Sequence, residues 1–177
     1  FNEMHILAIC QALCEYRQTN AISGPLFLGK DTHALSEPAL LTALEVFAAH
    51  GVQVRIQIGG GYTPTPVISR TIIRYNRTGN EDKADGIVIT PSHNPPSDGG
   101  IKYNPPHGGP AEGEVTKRIE KRANDIIHKG MLEARQAIYE DALASELVTK
   151  QDFIGFYVDE LDKVLDMRAI AEAKIKI

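Results

Sequence analysis

Apolar residues recur at helical spacing near the start of the chain. Ile6, Ile9, Cys10 and Leu13 form one stripe behind Asn2, a suitable cap, and Glu3 lies in the first turn. This helix is expected to end between Arg17 and Asn20. Pro25 to Gly29 then reads as a short buried strand, and Lys30-Asp31-Thr32-His33 as the loop leaving it. Ser36 reads as the N-cap of a second helix, with Glu37 and Pro38 in its first turn. Leu40, Leu44, Phe47 and Ala48 repeat along that helix, and Gly51 supplies its left-handed stop. Val52 to Ile58 alternates apolar and polar residues, as a strand with one buried face does, until Gly59-Gly60-Gly61 breaks it. Thr65 as N-cap and Pro66 at N1 open a third helix reaching about Tyr75. Asn76 to Asp85 is polar and loop-like, and Gly86 to Thr90 is a third strand.

Further on, Gly100 to Asn104 forms a short extended piece, while Pro105 to Gly113 is too rich in Pro and Gly to be regular. Val115, Ile119, Ala123, Ile126 and Ile127 mark a helix that Gly130 closes. Residues 134–147 and 152–166 carry two more helical patterns, and Ile175-Lys176-Ile177 alternates like the start of a strand. The alternation of helices and strands predicts an α/β fold, a three-layer α/β/α domain around a mostly parallel mixed sheet. In such sheets ligands bind outside the carboxyl ends of the strands. Asp31-Thr32-His33 and Thr90-Pro91-Ser92 both leave such ends, so they are expected to line one cleft.

Composition narrows the classes. A chain of 177 residues is long enough for one domain with a full core. The net charge of −4 arises from interspersed signs, so the basic stripe of a nucleic-acid binder is absent and no nucleic-acid partner is expected. No apolar run approaches the roughly 18 residues of a membrane span, and no signal peptide opens the chain, so no membrane partner is expected. Cys10 and Cys14, the only cysteines, lie four apart in the first helix, where they pack as small apolar residues. They exclude a disulfide framework, and a reducing cytoplasm is the expected location. A start at Phe1 rather than Met marks the chain as an expected piece of a longer protein.

The chemistry concentrates in Gly86-Ile87-Val88-Ile89-Thr90-Pro91-Ser92-His93-Asn94-Pro95-Pro96 and in Asp98-Gly99-Gly100-Ile101-Lys102-Tyr103-Asn104. Pro91 biases Thr90 toward extended backbone, and Pro95-Pro96 stiffens the segment after Ser92. A hydroxyl on so short and stiff a loop suits a nucleophile, because accurate placement lowers a barrier by several kcal/mol. Serine alone is weak and needs a base, a metal or an already attached reactive group. The Gly-x-Ser-x-Gly elbow of α/β hydrolases is missing, since Thr90 and Asn94 flank Ser92. Phosphoryl transfer fits better: Lys102 offers a point charge for phosphate oxygens, and Gly99 and Gly100 let backbone approach closely. His93 either holds the loop by a hydrogen bond or moves a proton. Asp31 and His33 are expected to make loop hydrogen bonds, with metal ligation as the alternative. Thr63-Pro64-Thr65-Pro66 is a helix entry or a substrate-facing segment, and His107 has no evident partner.

Thr90-Pro91-Ser92-His93-Asn94-Pro95-Pro96, with Asp98 to Pro106 and Gly108-Gly109-Pro110, resembles the α-D-phosphohexomutase superfamily, in its bacterial glucose-directed branch. Gly29 to Pro38 and Tyr62 to Pro66 resemble the same branch. The resemblance implies domain I of a four-domain enzyme, with residues 1–168 as the phosphoserine-bearing domain and 169–177 as the start of a connection. It implies that Ser92 carries a phosphate, which passes to a hexose phosphate. The resulting glucose 1,6-bisphosphate turns over in the cleft and returns its other phosphate. An oxygen of the Ser92 phosphate would bind Mg²⁺, the remaining ligands lying outside this chain. Lys102 would act as acid/base or by charge stabilisation, and Thr90, Asn94 and Lys102 would meet phosphate. His93 and Asn94 would shape the loop, with His93 also a catalytic candidate. The Thr-Ser-Gly-x-Arg-Gly motif of the superfamily, its Asp-x-Asp-x-Asp metal site, its sugar-specificity loop and its phosphate-binding domain are not in this sequence. The chain alone is therefore expected to be inactive and to need the other domains of its parent. The alternatives are a mannose- or hexosamine-directed relative, or a non-catalytic sugar-phosphate binding module; the presence of both Ser92 and Lys102 speaks against the module.

Overall fold

The computed structural model describes residues 1–174. Strands β1 (Leu26–Lys30), β2 (Val54–Gln57), β3 (Asp85–Ile89), β4 (Ile101–Asn104) and β5 (Val148–Gln151) form one sheet in the order β4-β3-β1-β2-β5. The pairs β1–β2, β1–β3 and β2–β5 are parallel, and β3–β4 is antiparallel. Helices α1 (Glu3–Thr19), α2 (Ser36–Ala49) and α4 (Gly113–His128) share a core with Leu26, Leu28, Val54, Ile56, Ile87 and Ile89. Phe27 and Val88 point to the other face, where Ile68 and Ile72 of α3 (Thr65–Arg77) and Phe153 of α6 (Phe153–Asp159) cover them. The three expected layers are present. Because β1 and β3 are covered on both faces, they read as apolar runs rather than alternating ones.

The chain passes from β1 to β2 on one side, then from β2 back across β1 to β3. Helices α2 and α3, which make these two crossings, accordingly lie on opposite faces. The strand order therefore reverses between β1 and β3, the place where such sheets open a crevice at their carboxyl ends.

Several local expectations need correction. Ser36 is the first residue of α2 rather than its cap: Leu35 holds that position, and Asp31 takes the Ser36 hydroxyl instead. Likewise Pro64, not Thr65, is the N-cap of α3, so Thr65 and Pro66 begin the helix. Of the helical pattern over 134–147, only α5 (Tyr139–Ala144) forms; that over 152–166 yields α6 and a single 3-10 turn at Leu161–Lys163. The final helix among the described residues is α7 (Met167–Glu172). The short edge strand β5 is an addition. Its sequence, Val-Thr-Lys-Gln, has one apolar residue, and its pairing with β2 rather than any periodicity makes it a strand. The strand expected at Ile175-Lys176-Ile177 lies outside the described residues.

At the end of the sheet away from the carboxyl-edge loops, Arg17 closes α1 onto the start of β3. Its guanidinium pairs with Asp85 and donates to the Gly24 carbonyl at 2.5 Å, while the Tyr103 hydroxyl donates to Asp85 at 2.7 Å. Burial pushes the Asp85 carboxyl up to about 6 against the pull of Arg17 and Tyr103. Cys10 and Cys14 are free and buried as expected, and burial raises both thiols, Cys14 to about 12. Among the described residues no helix is long and apolar enough to cross a membrane.

Arg17→Ala leaves an unpaired buried carboxylate, so urea unfolding should show a loss of about 3–5 kcal/mol. A carboxyl whose pKa is raised by folding is stabilised in its protonated form. Without Arg17 the carboxyl protonates at a still higher pH. The gap between variant and wild type should therefore narrow as the pH falls toward 6, where the wild-type carboxyl is itself protonated.

Candidate active site

The loops leaving β1 and β3 line one cleft of about 330 Å³, together with Thr63, Pro64, Thr65 and Lys102. Backbone geometry brings the pieces together. The β1–β3 ladder runs one step past the strands, with the Asp31 N–H donating to the Ile89 carbonyl at 3.0 Å. Thr63 is buried and grips the end of β1: its N–H donates to the Lys30 carbonyl at 2.8 Å, and its hydroxyl accepts from the Lys30 N–H at 3.1 Å. A side chain at Gly29 would collide with that hydroxyl, which is why glycine stands there. Gly100 likewise lies against the Thr90 backbone, where the Thr90 N–H donates to its carbonyl at 2.9 Å.

Ser92 is exposed at the mouth of this cleft with φ = 73°, a left-handed conformation that a non-glycine residue adopts at a cost of roughly 1–2 kcal/mol. Two contacts bracket it. The Thr90 hydroxyl accepts from the Ser92 N–H at 2.9 Å, and His33 Nε2 lies 3.0 Å from the Asn94 carbonyl oxygen. His33 Nδ1 in turn is 2.8 Å from Asp31 Oδ2. Asp31 also accepts from the His33 N–H at 2.9 Å and from the Ser36 hydroxyl at 2.5 Å. Burial alone would raise the Asp31 carboxyl, but hydrogen bonds from Ser36, Thr90 and His33 outweigh it and hold Asp31 below its ordinary range. The Asn94 carbonyl raises the His33 pKa; burial opposes this, and Asp31 and then Asp98 add to the rise.

Helices α1, α2 and α3 all begin at this edge of the sheet: α1 runs down to the entry of β1, while α2 and α3 start beyond the exits of β1 and β2. Phe1, just ahead of α1, packs its ring against Gly99 in the serine loop. Of the three helices, α3 lines the cleft through its start at Thr65, and its positive dipole end favours an anionic group there.

Of the residues singled out from the sequence, Thr90, Ser92, His93 and Lys102 line the cleft, and Asn94 meets it through its carbonyl. Asp31 and His33 make the loop hydrogen bonds expected of them. Among the described residues no group of three His, Cys, Asp or Glu side chains could hold a metal ion. His107 lies apart from the cleft and accepts from the Gly109 N–H at 3.0 Å. Thr63, Pro64 and Thr65 face the cleft, and Thr63 also lies beneath it as a buried strut. One residue was not foreseen as part of the site: Ser36 joins it through Asp31, a contact with no signature in the local sequence.

Residues 1–129 match the family described as phosphoglucomutase/phosphomannomutase, alpha/beta/alpha domain I. The chain belongs to this family and carries its first domain. Over all 177 residues it is 57% identical to a phosphoglucomutase of Komagataeibacter xylinus, covering 32% of that protein. It is also 40% identical over 81 residues to a phosphoglucosamine mutase of Prochlorococcus marinus, covering 45% of this chain and 15% of the relative. The chain thus spans about a third of the length of its 57%-identical relative. The crystal structure of a putative phosphomannomutase from Thermus thermophilus superposes with a TM-score of 0.74 at 23% identity, covering 96% of this chain and 33% of that one. That likeness bears on the fold.

Ser92→Gly separates strain from chemistry. Glycine relieves roughly 1–2 kcal/mol of left-handed strain and forfeits roughly 0.5–1 kcal/mol of chain entropy. Thermal unfolding should therefore find the variant at least as stable as wild type, although its hydroxyl is gone.

Proposed function

We propose that this chain is the phosphoserine-bearing domain, over residues 1–168, of a mutase that interconverts glucose 1-phosphate and glucose 6-phosphate through glucose 1,6-bisphosphate. The observation that carries the reading is Ser92: a strained, exposed hydroxyl fixed from both sides at the β1–β3 crevice. The 57% identity to a phosphoglucomutase favours glucose over mannose or hexosamine.

In this reading the Ser92 Oγ carries a phosphoryl group. The bond from phosphorus to Oγ breaks as a sugar hydroxyl oxygen bonds to phosphorus, and the hydroxyl proton leaves to a base. The second half-reaction returns the sugar's other phosphoryl group to Oγ. Such transfer depends on positioning and on offsetting charge at the phosphoryl oxygens. Thr90 and Asn94 position the serine and its phosphate. Lys102, exposed on β4 and lining the cleft, supplies positive charge or exchanges the proton. His93 lies on the same wall and is the second candidate for proton movement. Mg²⁺, when bound, neutralises phosphoryl oxygens. In this reading this chain's share of that site is one oxygen of the Ser92 phosphate, the other ligands coming from the rest of the parent. Among the described residues there is no three-residue donor cluster. The partners are then a hexose phosphate and the parent's other domains, in the cytoplasm.

Ser92→Ala in the full-length parent should abolish turnover with circular dichroism unchanged; retained activity would remove Ser92 as the phosphate carrier. Lys102→Ala should lower kcat by roughly 10²–10³-fold, the scale of one lost charge-stabilising group. The purified 177-residue chain should show no interconversion of the two glucose phosphates in a coupled assay.

A further inference from the structure

His33 bridges the two loops of the crevice, and both atoms it meets are acceptors. Nδ1 lies 2.8 Å from a carboxylate oxygen of Asp31, and Nε2 lies 3.0 Å from the carbonyl oxygen of Asn94. A neutral imidazole has one N–H and would turn a lone pair toward one of these oxygens. Both bonds form together only when each ring nitrogen carries a proton. We propose that His33 is a positioning residue: as a doubly donating imidazolium it ties the Asn94 carbonyl to Asp31 and so holds Ser92 in its left-handed conformation. The proposal rests on the phosphoserine reading of Ser92.

The anchor behind His33 is stiff. Asp31 is fixed by the Ser36 hydroxyl at 2.5 Å and by its own N–H to Ile89 at 3.0 Å, so the imidazolium transmits the position of the β1–β3 ladder to the serine loop. On the other side of Ser92, Thr90 holds the Ser92 N–H. With residues 90 and 94 both tethered, little freedom remains for a backbone that would otherwise relax to ordinary φ. The charged and titratable groups facing His33 are Asp31 from the β1 loop and Asp98 from the serine loop, with Lys102 from β4 and His93 sharing the cleft. The Asn94 carbonyl does most to favour the imidazolium, burial opposes it, and the two carboxylates add to the carbonyl.

The sign of the pH dependence follows. A histidine whose pKa is raised by folding contributes its bonds below its ordinary value, near 6.5, and loses them as pH rises through the raised value. Asp31, lowered by folding, keeps its charge until the pH falls below the ordinary carboxylate range. The bridge is whole between these limits, and the serine loop loosens on the alkaline side.

Two measurements test this. In the isolated chain, ¹⁵N NMR of the His33 ring at about pH 7, where an unperturbed histidine is mostly neutral, should show both nitrogens protonated. A ring with one proton there overturns the proposal without touching the mutase reading. In the full-length parent, His33→Ala should lower kcat on the order of 10²-fold with KM nearly unchanged, the scale of a misplaced reacting group. His33→Arg, a permanent cation with several donors, should restore most of the rate and remove the alkaline fall in kcat that the proposal expects of wild type. An unchanged kcat in His33→Ala, or an alkaline limb unaltered in His33→Arg, would refute positioning by His33. If the alanine variant fails to fold, the NMR signal and the arginine variant decide. Failure of the mutase reading looks different, since Ser92→Ala would then stay active.

Discussion

The pairing of β1 with β3 is the constraint from which the cleft hangs. Five registered residue pairs, from Leu26 opposite Asp85 to Lys30 opposite Ile89, place two central strands side by side with helices on both faces. Their exits are then a fixed distance apart: the chain leaves β1 for α2 on one face, and leaves β3 through the serine loop for the adjoining strand β4. A shift of one residue in this register would turn Leu26, Leu28, Ile87 and Ile89 away from their core, so the apolar pattern itself guards the alignment of the loops. The ladder hydrogen bond at Asp31 carries that alignment into the site, and the bridge through His33 spans the remaining gap.

The two ends of the sheet are built for different work. Arg17, Asp85 and Tyr103 lock α1, β3 and β4 at one end by fully partnered buried charge, an arrangement that tolerates little change because removing one member strands the others. At the other end the backbone holds a residue in a conformation it does not prefer. Strain at Ser92 persists because the surrounding contacts over-determine it. The stable end thus supports the strained one through β3, which begins at Asp85 and runs straight into the serine loop.

Most of the architecture was legible because buried parallel strands and amphipathic helices announce themselves by period. Leu26 to Gly29 and Gly86 to Ile89 are continuous apolar runs, and α1, α2 and α4 carry clear stripes. What escaped had no period to find. The strand β5 is four residues long with one apolar side chain, and a strand at a sheet's edge owes its shape to its neighbour's backbone. The caps of α2 and α3 fall one residue earlier than the obvious capping side chains, each for a local reason. Asp31 claimed the Ser36 hydroxyl, and the extended Pro64 ended the approach to α3 one residue early. Ser92 and Lys102 could be singled out by residue type and spacing. The contact between His33 and Asn94, 61 positions apart, exists only once β1 and β3 are neighbours.

The two cysteines give the molecule a built-in gauge of its own opening. Cys10 is wholly enclosed and Cys14 nearly so, both on α1, between α2 and α4. A thiol-reactive dye reaches neither until α1 lifts from the sheet, and the raised thiols add no reactivity of their own. The labelling rate in native buffer therefore reads out how often the first helix detaches. That helix starts beside the serine loop and carries Arg17 in its last turn, so one chemical label monitors the mechanical link between both ends of the domain.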